Sequence, residues 1–174
     1  MKRKRMYVVL LLCLLIVFCF YRYYKVNKDV PLKYTLEYSS KGEVVVCDDL
    51  EIRVNSANKG DLIKDYKRER IPITVDAQIK NTSNKTSNVL RFIETSLGVG
   101  YNKNQTNDGE FDIQKLKKLQ PNETVQVKLV YVVDKDIYEK NNEPMYLYIP
   151  TELYHNQLMD KAGEGIRYGK AIKL

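Results

Sequence analysis

Hydrophobic and polar positions divide the chain into one long apolar run followed by a region in which they alternate. The run extends from Met6 to Tyr21, sixteen residues without a charge, a glycine or a proline. A helix over residues 6–24 would be about 28 Å long at about 1.5 Å per residue, which matches the hydrocarbon core of a bilayer. We therefore predict a transmembrane helix over residues 6–24.

The residues on either side of this run are typical of a membrane helix. Tyrosines near both ends suit the aromatic belts of the two interfaces, and basic side chains there reach lipid headgroups. The predicted membrane-flanking residues are Lys2, Arg3, Lys4, Arg5, Arg22 and Lys25. The alternative, a buried helix of a soluble core, would have to hide this apolar surface beside a tetrabasic terminus.

The end of the run favours an anchor that is retained over a signal peptide that is removed. Signal peptides usually end in small residues before the cleavage site, whereas this run ends in Phe18, Cys19 and Phe20. Lipoprotein cleavage also needs a small residue where Leu12 precedes Cys13 and Phe18 precedes Cys19. More positive charge lies on the amino side, which predicts a cytoplasmic amino terminus. Residues 1–5 form the predicted cytoplasmic tail, 25–31 a stalk and 32–174 an extracytoplasmic domain.

Beyond the stalk the apolar residues recur with period two, the pattern of half-buried strands. The pattern is clearest in residues 71–80, where Ile71, Ile73, Val75, Ala77 and Ile79 share one face. Other predicted strands are residues 33–38, 43–47, 49–56, 89–94, 97–101, 123–133, 145–150 and 166–174. Polar stretches between them, including residues 102–109, have turn composition.

Two short helices are predicted as additions to this β domain. Residues 112–118 begin with Asp112 as N-cap, and residues 151–161 begin with Thr151 and end near Gly163. Many short strands without regular strand and helix alternation favour an antiparallel sandwich. The predicted fold class is all-β, an antiparallel sandwich of about seven to nine strands preceded by one transmembrane helix.

The positive charge of the chain is concentrated near its amino terminus. The chain has 29 Lys and Arg residues against 22 Asp and Glu, a formal net charge of +7. Seven of the basic residues precede residue 29, where no acidic residue occurs, so the outer domain is formally neutral. A basic surface for nucleic acid is therefore not expected.

No pattern of residues indicates catalysis or a bound cofactor. The only histidine, His155, has no partner at zinc-ligand spacing. Residues 104–115 resemble the start of a calcium loop, but Lys115 stands where a bidentate Glu is needed. We interpret residues 107–109 as a hairpin turn, and a different calcium geometry through Asp108, Glu110 and Asp112 stays open.

Two further features, an acidic cluster and a lone thiol, are interpreted as structural. Asp48, Asp49 and Glu51 could supply a carboxylate pair for glycoside chemistry, but a turn followed by a solvated face is favoured. Cys47 is the only thiol outside the predicted span, so it has no disulfide partner there. It follows three valines and is expected to be a buried structural thiol.

Tyr146 and Tyr148 form the candidate partner-binding surface. They alternate with Met145, Leu147 and Ile149, so they occupy the opposite face of their strand. Tyrosine suits interfaces because it combines rigid apolar area with one hydrogen-bonding group. The alternative, that both rings pack beneath a neighbouring loop, stays open.

Several segments carry a resemblance to a known group of proteins. The basic start and single span, "EVVVCDDLEIRVNSA", "IPITVDAQIKNTSNKTSNV" and "LQPNETVQVKLVYVV" resemble extracytoplasmic domains of unknown function from Gram-positive bacteria. Those domains are anchored by a helix or a lipid and have an immunoglobulin-like or telokin-like sandwich. The resemblance covers roughly residues 43–150. It implies that fold and location, and it offers no catalytic residues.

The expected function is that of a membrane-tethered extracytoplasmic binding module without catalytic activity. Its expected partners are membrane lipids, through the helix, and a protein or a cell-wall component, with no nucleic acid and no cofactor. An immunity or inhibitor protein at the outer membrane face, or an accessory subunit of a surface complex, is the alternative.

Overall fold

The computed structural model describes residues 2–28, 30–31, 33–65 and 68–174, with the backbone alone for residues 2–4 and 65. Three predicted membrane-flanking side chains, those of Lys2, Arg3 and Lys4, lie outside this description, as does Asp29 of the predicted stalk.

A helix is present at the predicted membrane span and is longer than expected. Helix α1 spans Lys2–Asn27, so it includes the first three residues of the predicted stalk. Lysine and arginine are good helix formers, and the first proline after the apolar run is Pro31. Residues Arg5–Asn27 are long and apolar enough to cross a membrane, and none of that window is buried against the rest of the described chain.

The domain that follows is mostly β-structure. Three α-helices and two 3₁₀ helices accompany the strands: α2 Ile113–Lys117, α3 Lys135–Lys140, α4 His155–Gly163, and the 3₁₀ helices Leu90–Glu94 and Thr151–Tyr154. The described residues form ten strands: β1 Lys33–Ser40, β2 Val44–Cys47, β3 Leu50–Lys59, β4 Ile63–Asp65, β5 Arg68–Asn81, β6 Ser96–Val99, β7 Asn102–Glu110, β8 Thr124–Asp134, β9 Tyr146–Tyr148 and β10 Ile166–Lys173.

The strands follow one continuous path in the order β1-β10-β9-β6-β7-β8-β5-β3-β2, with β4 paired to β5. Strand β7 joins the two halves of this path because its first part pairs with β6 and its last part with β8. A register shift between Thr106 and Asp108 marks the change. The result is a sandwich-like sheet that nearly closes into a barrel.

The expectation of a purely antiparallel sheet is wrong at one edge, and the strands outnumber the predicted seven to nine. Strand β1 runs parallel to β10, with Lys33 opposite Ile166 and Ser40 opposite Lys173. Parallel neighbours need a long connection between them, and here almost the whole domain supplies it. Sequence patterns cannot reveal this pairing because its partners are more than 130 residues apart.

The core lies where the alternation is strongest. All five residues that the pattern assigned to one face of β5, from Ile71 to Ile79, are buried, which confirms that prediction. They pair across the sheet with the buried face of β8, for example Ile73 with Tyr131. Cys47 is fully buried as expected, and burial raises the pKa of its thiol to about 12.

Two segments differ from the pattern-based assignment. The predicted strand 89–94 is instead the 3₁₀ helix Leu90–Glu94 with Val89 as its N-cap residue, because Val89 and Phe92, three residues apart, both face the core. Residues 102–109 form most of β7 instead of a turn. This strand is polar on both faces, and the hydrogen bonds of two neighbouring strands hold it in place.

The N-terminus of α4 is capped by a distant residue, so the expectation that Thr151 caps this segment is wrong. Thr151 begins the 3₁₀ helix that precedes α4. Asp48, in the two-residue turn between β2 and β3, accepts hydrogen bonds from the backbone N–H groups of Asn156 (2.8 Å) and Gln157 (3.1 Å). The expected cap of α2 is confirmed, because Asp112 accepts from the N–H groups of Gln114 and Lys115.

Replacing Asp48 by alanine is expected to lower the free energy of unfolding by about 2 kcal/mol. The change removes an N-cap, worth about 1 kcal/mol. It also places alanine at a φ of +49°, which aspartate tolerates better through local hydrogen bonding, and this costs roughly another 1 kcal/mol. Asp48→Asn keeps one acceptor oxygen and tolerates that φ, so it should cost less than half as much. Denaturant unfolding of the full chain in detergent micelles measures both, with Asp49→Ala as control. Equal losses for Asp48→Ala and Asp49→Ala would contradict the capping role.

A tyrosine face as the candidate binding surface

One outer face of the sheet carries a group of tyrosines. Side chains of β1, β10, β9 and β6 alternate between the core and the solvent, and residues in register share a face. Tyr38, Ala171 and Tyr148 are in register across β1, β10 and β9. On the same side, Tyr146 is in register with Lys173 and Gly98. We call Tyr34, Tyr38, Tyr146 and Tyr148 the tyrosine face.

The structure places the two tyrosines singled out from the sequence on this outer side. Tyr146 and Tyr148 are half-buried, while Leu147 between them is fully buried. Tyr34 and Tyr38 of β1 complete the group and are 65% and 58% exposed. The sequence did not predict that these two residues lie beside Tyr146 and Tyr148, because only the β1–β10–β9 pairing brings the strands together. Their spacing of four in a predicted strand was the one local signal.

The rings contact one another and lean over small residues. The ring centroids of Tyr38 and Tyr146 are 5.2 Å apart with an angle of 56° between their planes. Ala171, in register with Tyr38, is only 2% exposed. The ring of Tyr148 lies against Gly98, where an added Cβ would come within 2.6 Å of ring carbon Cε2. Glycine at this position is therefore a requirement of the tyrosine packing.

The charged residues at the outer positions of this face are all basic. Lys103, Arg167 and Lys173 lie among or beside the tyrosines, and the paired outer positions of β1, β10, β9 and β6, with those of β7 opposite β6, include no acidic residue. Glu43, in the turn after β1, accepts a hydrogen bond from the backbone N–H of Ser40 at the end of this face. The Nζ atom of Lys103 is 4.2 Å from the ring centroid of Tyr148, a cation–π contact. We call these three residues the basic group. They form a local cationic surface on a domain whose formal charge is neutral.

The Tyr148 hydroxyl stays protonated at neutral pH. Burial, followed by the neighbouring Tyr38, Tyr34 and Tyr146, raises the pKa of Tyr148 above its usual value. A protonated hydroxyl both donates and accepts a hydrogen bond. The face therefore offers apolar rings and neutral hydrogen-bonding groups together.

A half-buried ion pair on the opposite side of the sheet attaches β1 to β10. Lys170 is 5% exposed, and its Nζ atom lies 3.2 Å from Oε1 of Glu37 in β1. The Tyr168 hydroxyl donates to the other carboxylate oxygen. Burial alone would raise the pKa of Glu37, but the hydrogen bonds from Tyr168 and Lys170 and the charge of Lys170 hold it below its usual value. These contacts position Tyr34 and Tyr38 on the outer side.

The three candidate calcium ligands each make a separate structural contact. Asp108 accepts from the N–H of Gly109, Glu110 forms an ion pair with Lys128 at 2.7 Å, and Asp112 caps α2. Within the described ranges, no three His, Cys, Asp or Glu side chains gather in a geometry that could hold a metal ion.

The acidic residues considered as a catalytic carboxylate pair also make structural contacts. Asp48 caps α4 next to the exposed His155, and its two oxygens accept from backbone N–H groups of that helix. Glu51 lies 3.8 Å from Lys80 across neighbouring strands. The predicted membrane-flanking residues Arg5, Arg22 and Lys25 are exposed along α1.

Comparison with known proteins supports the fold. Residues 39–156 match the model of a family described as "Domain of unknown function (DUF4352)". No curated protein matches the chain. An uncharacterized β-sandwich protein from Clostridium difficile 630 is similar in structure, with a TM-score of 0.54 and 14% sequence identity, covering 82% of this chain and 96% of that chain. At this identity the likeness concerns the fold alone.

A second solved structure is similar at a lower score. It is a functionally unknown protein from Listeria monocytogenes EGD-e, with a TM-score of 0.49 and 16% identity, covering 68% of this chain and 75% of that chain.

Proposed function

The chain belongs to the DUF4352 family of domains of unknown function, and from this premise we propose that it is a membrane-tethered binding module without catalytic activity. It acts outside the cell membrane, with the amino terminus in the cytoplasm and the tyrosine face as its binding surface. We also propose a Gram-positive bacterial origin and an immunoglobulin-like sandwich of the telokin type. The similar β-sandwich protein from Clostridium difficile supports the sandwich architecture.

The observation that carries the proposal is an exposed aromatic surface on a domain that follows a helix long and apolar enough to span a membrane. Aromatic residues and arginine are enriched in the surfaces that proteins use for recognition. Tyr34 and Tyr38 are more than half exposed, although burial of such rings is favourable. A surface of this kind is expected to meet a partner.

The tether limits the distance between the tyrosine face and the membrane. Residues 28–32 separate α1 from β1, and a link of that length can reach at most roughly 20 Å at about 3.5 Å per residue. The domain is thereby held in a thin layer at the membrane, where its effective concentration toward partners in that layer is high. Weak contacts on the tyrosine face then suffice for binding.

Surface exposure and partner contact can be tested in one cell preparation. The full chain with a carboxy-terminal tag is expressed with a photoreactive benzoylphenylalanine at Tyr38, or at Arg53 as the control. Arg53 is an exposed residue on β3, which is not one of the strands that carry the tyrosine face. Protease added to intact cells is expected to remove the tag, and illumination to give adducts at Tyr38 only.

Two results would contradict the proposal. A tag that stays intact in whole cells but is digested after lysis would reverse the orientation. Equal adducts at both positions, or no adduct at either, would exclude the tyrosine face as a binding surface.

A further inference from the structure

We propose that the tyrosine face binds an anionic glycan, a chain of sugar rings that carries carboxylate or phosphate groups. This inference rests on the proposed function and names the partner class of that surface.

The chemistry of the face matches that of a sugar chain. A pyranose ring has an apolar surface of C–H groups and a rim of hydroxyls, and tyrosine likewise combines an apolar ring with one hydroxyl. Apart from Leu36, which is half-buried, the outer positions of these strands carry tyrosine, serine, glycine, alanine, glutamine, lysine and arginine. Serine and glutamine at these positions can hydrogen-bond to sugar hydroxyls beside the rings.

The shape of the face favours a ligand that lies along it over a bilayer that receives inserted side chains. The ring of Tyr148 leans on Gly98, and the rings of Tyr38 and Tyr146 meet each other near Ala171. Insertion into lipid would require apolar side chains that project. Strands are about 4.8 Å apart, so the surface from β1 to β6 is roughly 14 Å wide, enough for several sugar rings.

The charge of the face selects an anion. Lys103, Arg167 and Lys173 are its charged outer residues, and none of the described outer partners is acidic. Arginine binds carboxylate and phosphate groups with two parallel hydrogen bonds. Lys103 sits against the ring of Tyr148, so an aromatic surface and a cation are available at the same place. A neutral glycan would form no ion pair with these basic residues.

The test measures glycan binding to the full chain in nanodiscs of phosphatidylcholine. The probes are oligogalacturonate, which carries carboxylates, and phosphomannan oligosaccharides, which carry phosphates. At least one is expected to bind, and Tyr34→Ser with Tyr38→Ser should weaken that binding roughly tenfold. Lys103→Gln with Arg167→Gln should weaken it severalfold and reduce its dependence on salt. Arg53→Gln is the matched control and should change nothing.

Matched probes separate the contribution of sugar from that of charge. Methyl-esterified oligogalacturonate keeps the rings and lacks the charge, and polyphosphate keeps the charge and lacks the rings. Both are expected to bind more weakly than the anionic glycan. The exposed tyrosines allow the double variant to keep the wild-type unfolding transition, which circular dichroism checks.

Three results would overturn the inference: no binding of either anionic glycan, equal binding of polyphosphate, or binding that the tyrosine variants leave unchanged. Attachment of the tyrosine face to nanodiscs that contain phosphatidylglycerol, without glycan binding, would assign a lipid surface instead. If neither glycan binds while Tyr38 still forms adducts on cells, this inference fails and the proposed function stands. If no adducts form either, both fail.

Discussion

Replacing Phe92 by alanine is expected to lower the free energy of unfolding of the β domain by about 3–5 kcal/mol. Phe92 is fully buried and belongs to the 3₁₀ helix Leu90–Glu94. Truncating it removes a large aromatic surface from the core and leaves a cavity that rigid strands cannot refill. Denaturant unfolding of the full chain in detergent micelles, followed by circular dichroism, measures the loss.

Neighbouring positions test whether this segment is helical, as observed, or a strand, as its sequence predicts. Val89 and Phe92 both face the core, which a spacing of three permits in a 3₁₀ helix and a strand does not. Val89→Ala should therefore also cost roughly 1–3 kcal/mol. Arg91→Ala is the control, because Arg91 is exposed and its ion pair with Glu94 is a surface pair, worth under about 1 kcal/mol. Similar losses at Arg91 and Phe92 would contradict the observed packing.

Replacing Glu37 by glutamine is expected to destabilise the domain by about 1–3 kcal/mol at neutral pH. Removing one partner of a fully buried ion pair costs about 3–5 kcal/mol. Here Lys170 is 5% exposed but Glu37 is 48% exposed, so solvent screening reduces the expected cost. Denaturant unfolding of the full chain in detergent micelles measures this loss. Glutamine keeps a side-chain oxygen that can accept the hydrogen bond from Tyr168, so the change removes mainly the charge.

The pH dependence of the wild-type chain provides a second measurement of this pair. The folded-state pKa of Glu37 lies below its ordinary value of 4.5. Its contribution to stability is therefore complete above pH 4.5 and is lost as the pH falls through the folded-state pKa. Glu37→Gln should remove this part of the acid dependence. Stability curves of the two proteins that fall in parallel below pH 4.5 would contradict the role of the pair.

A variant of the partner residue separates charge from packing. Lys170→Met removes the buried ammonium and keeps a chain of similar size, so Glu37→Gln should cost much less in that background. Because this pair attaches β1 to β10, Glu37→Gln is also expected to loosen Tyr34 and Tyr38. Hydrogen exchange of the β1 amides would detect that loosening. Unchanged protection in β1 would limit the role of the pair to global stability.

The sequence by itself determined the features that depend on local periodicity. The uncharged run at the amino terminus predicts a helix long enough to span a bilayer, and α1 includes this run. Period two identifies β5 and β8, because alternate side chains of a strand point to opposite faces. The same alternation placed Tyr146 and Tyr148 opposite the buried Leu147. The cap of α2 by Asp112 is likewise a contact within one turn.

Tertiary structure alone decided the features that join distant parts of the chain. Strand β7 is polar on both faces, so only its two neighbours make it a strand. Asp48 caps a helix 108 residues further along, and no local pattern encodes that distance. The tyrosine face exists because β10 brings β1 beside β9. Backbone hydrogen bonds between strands are the same for any sequence, so side-chain packing over the whole domain selects which strands meet.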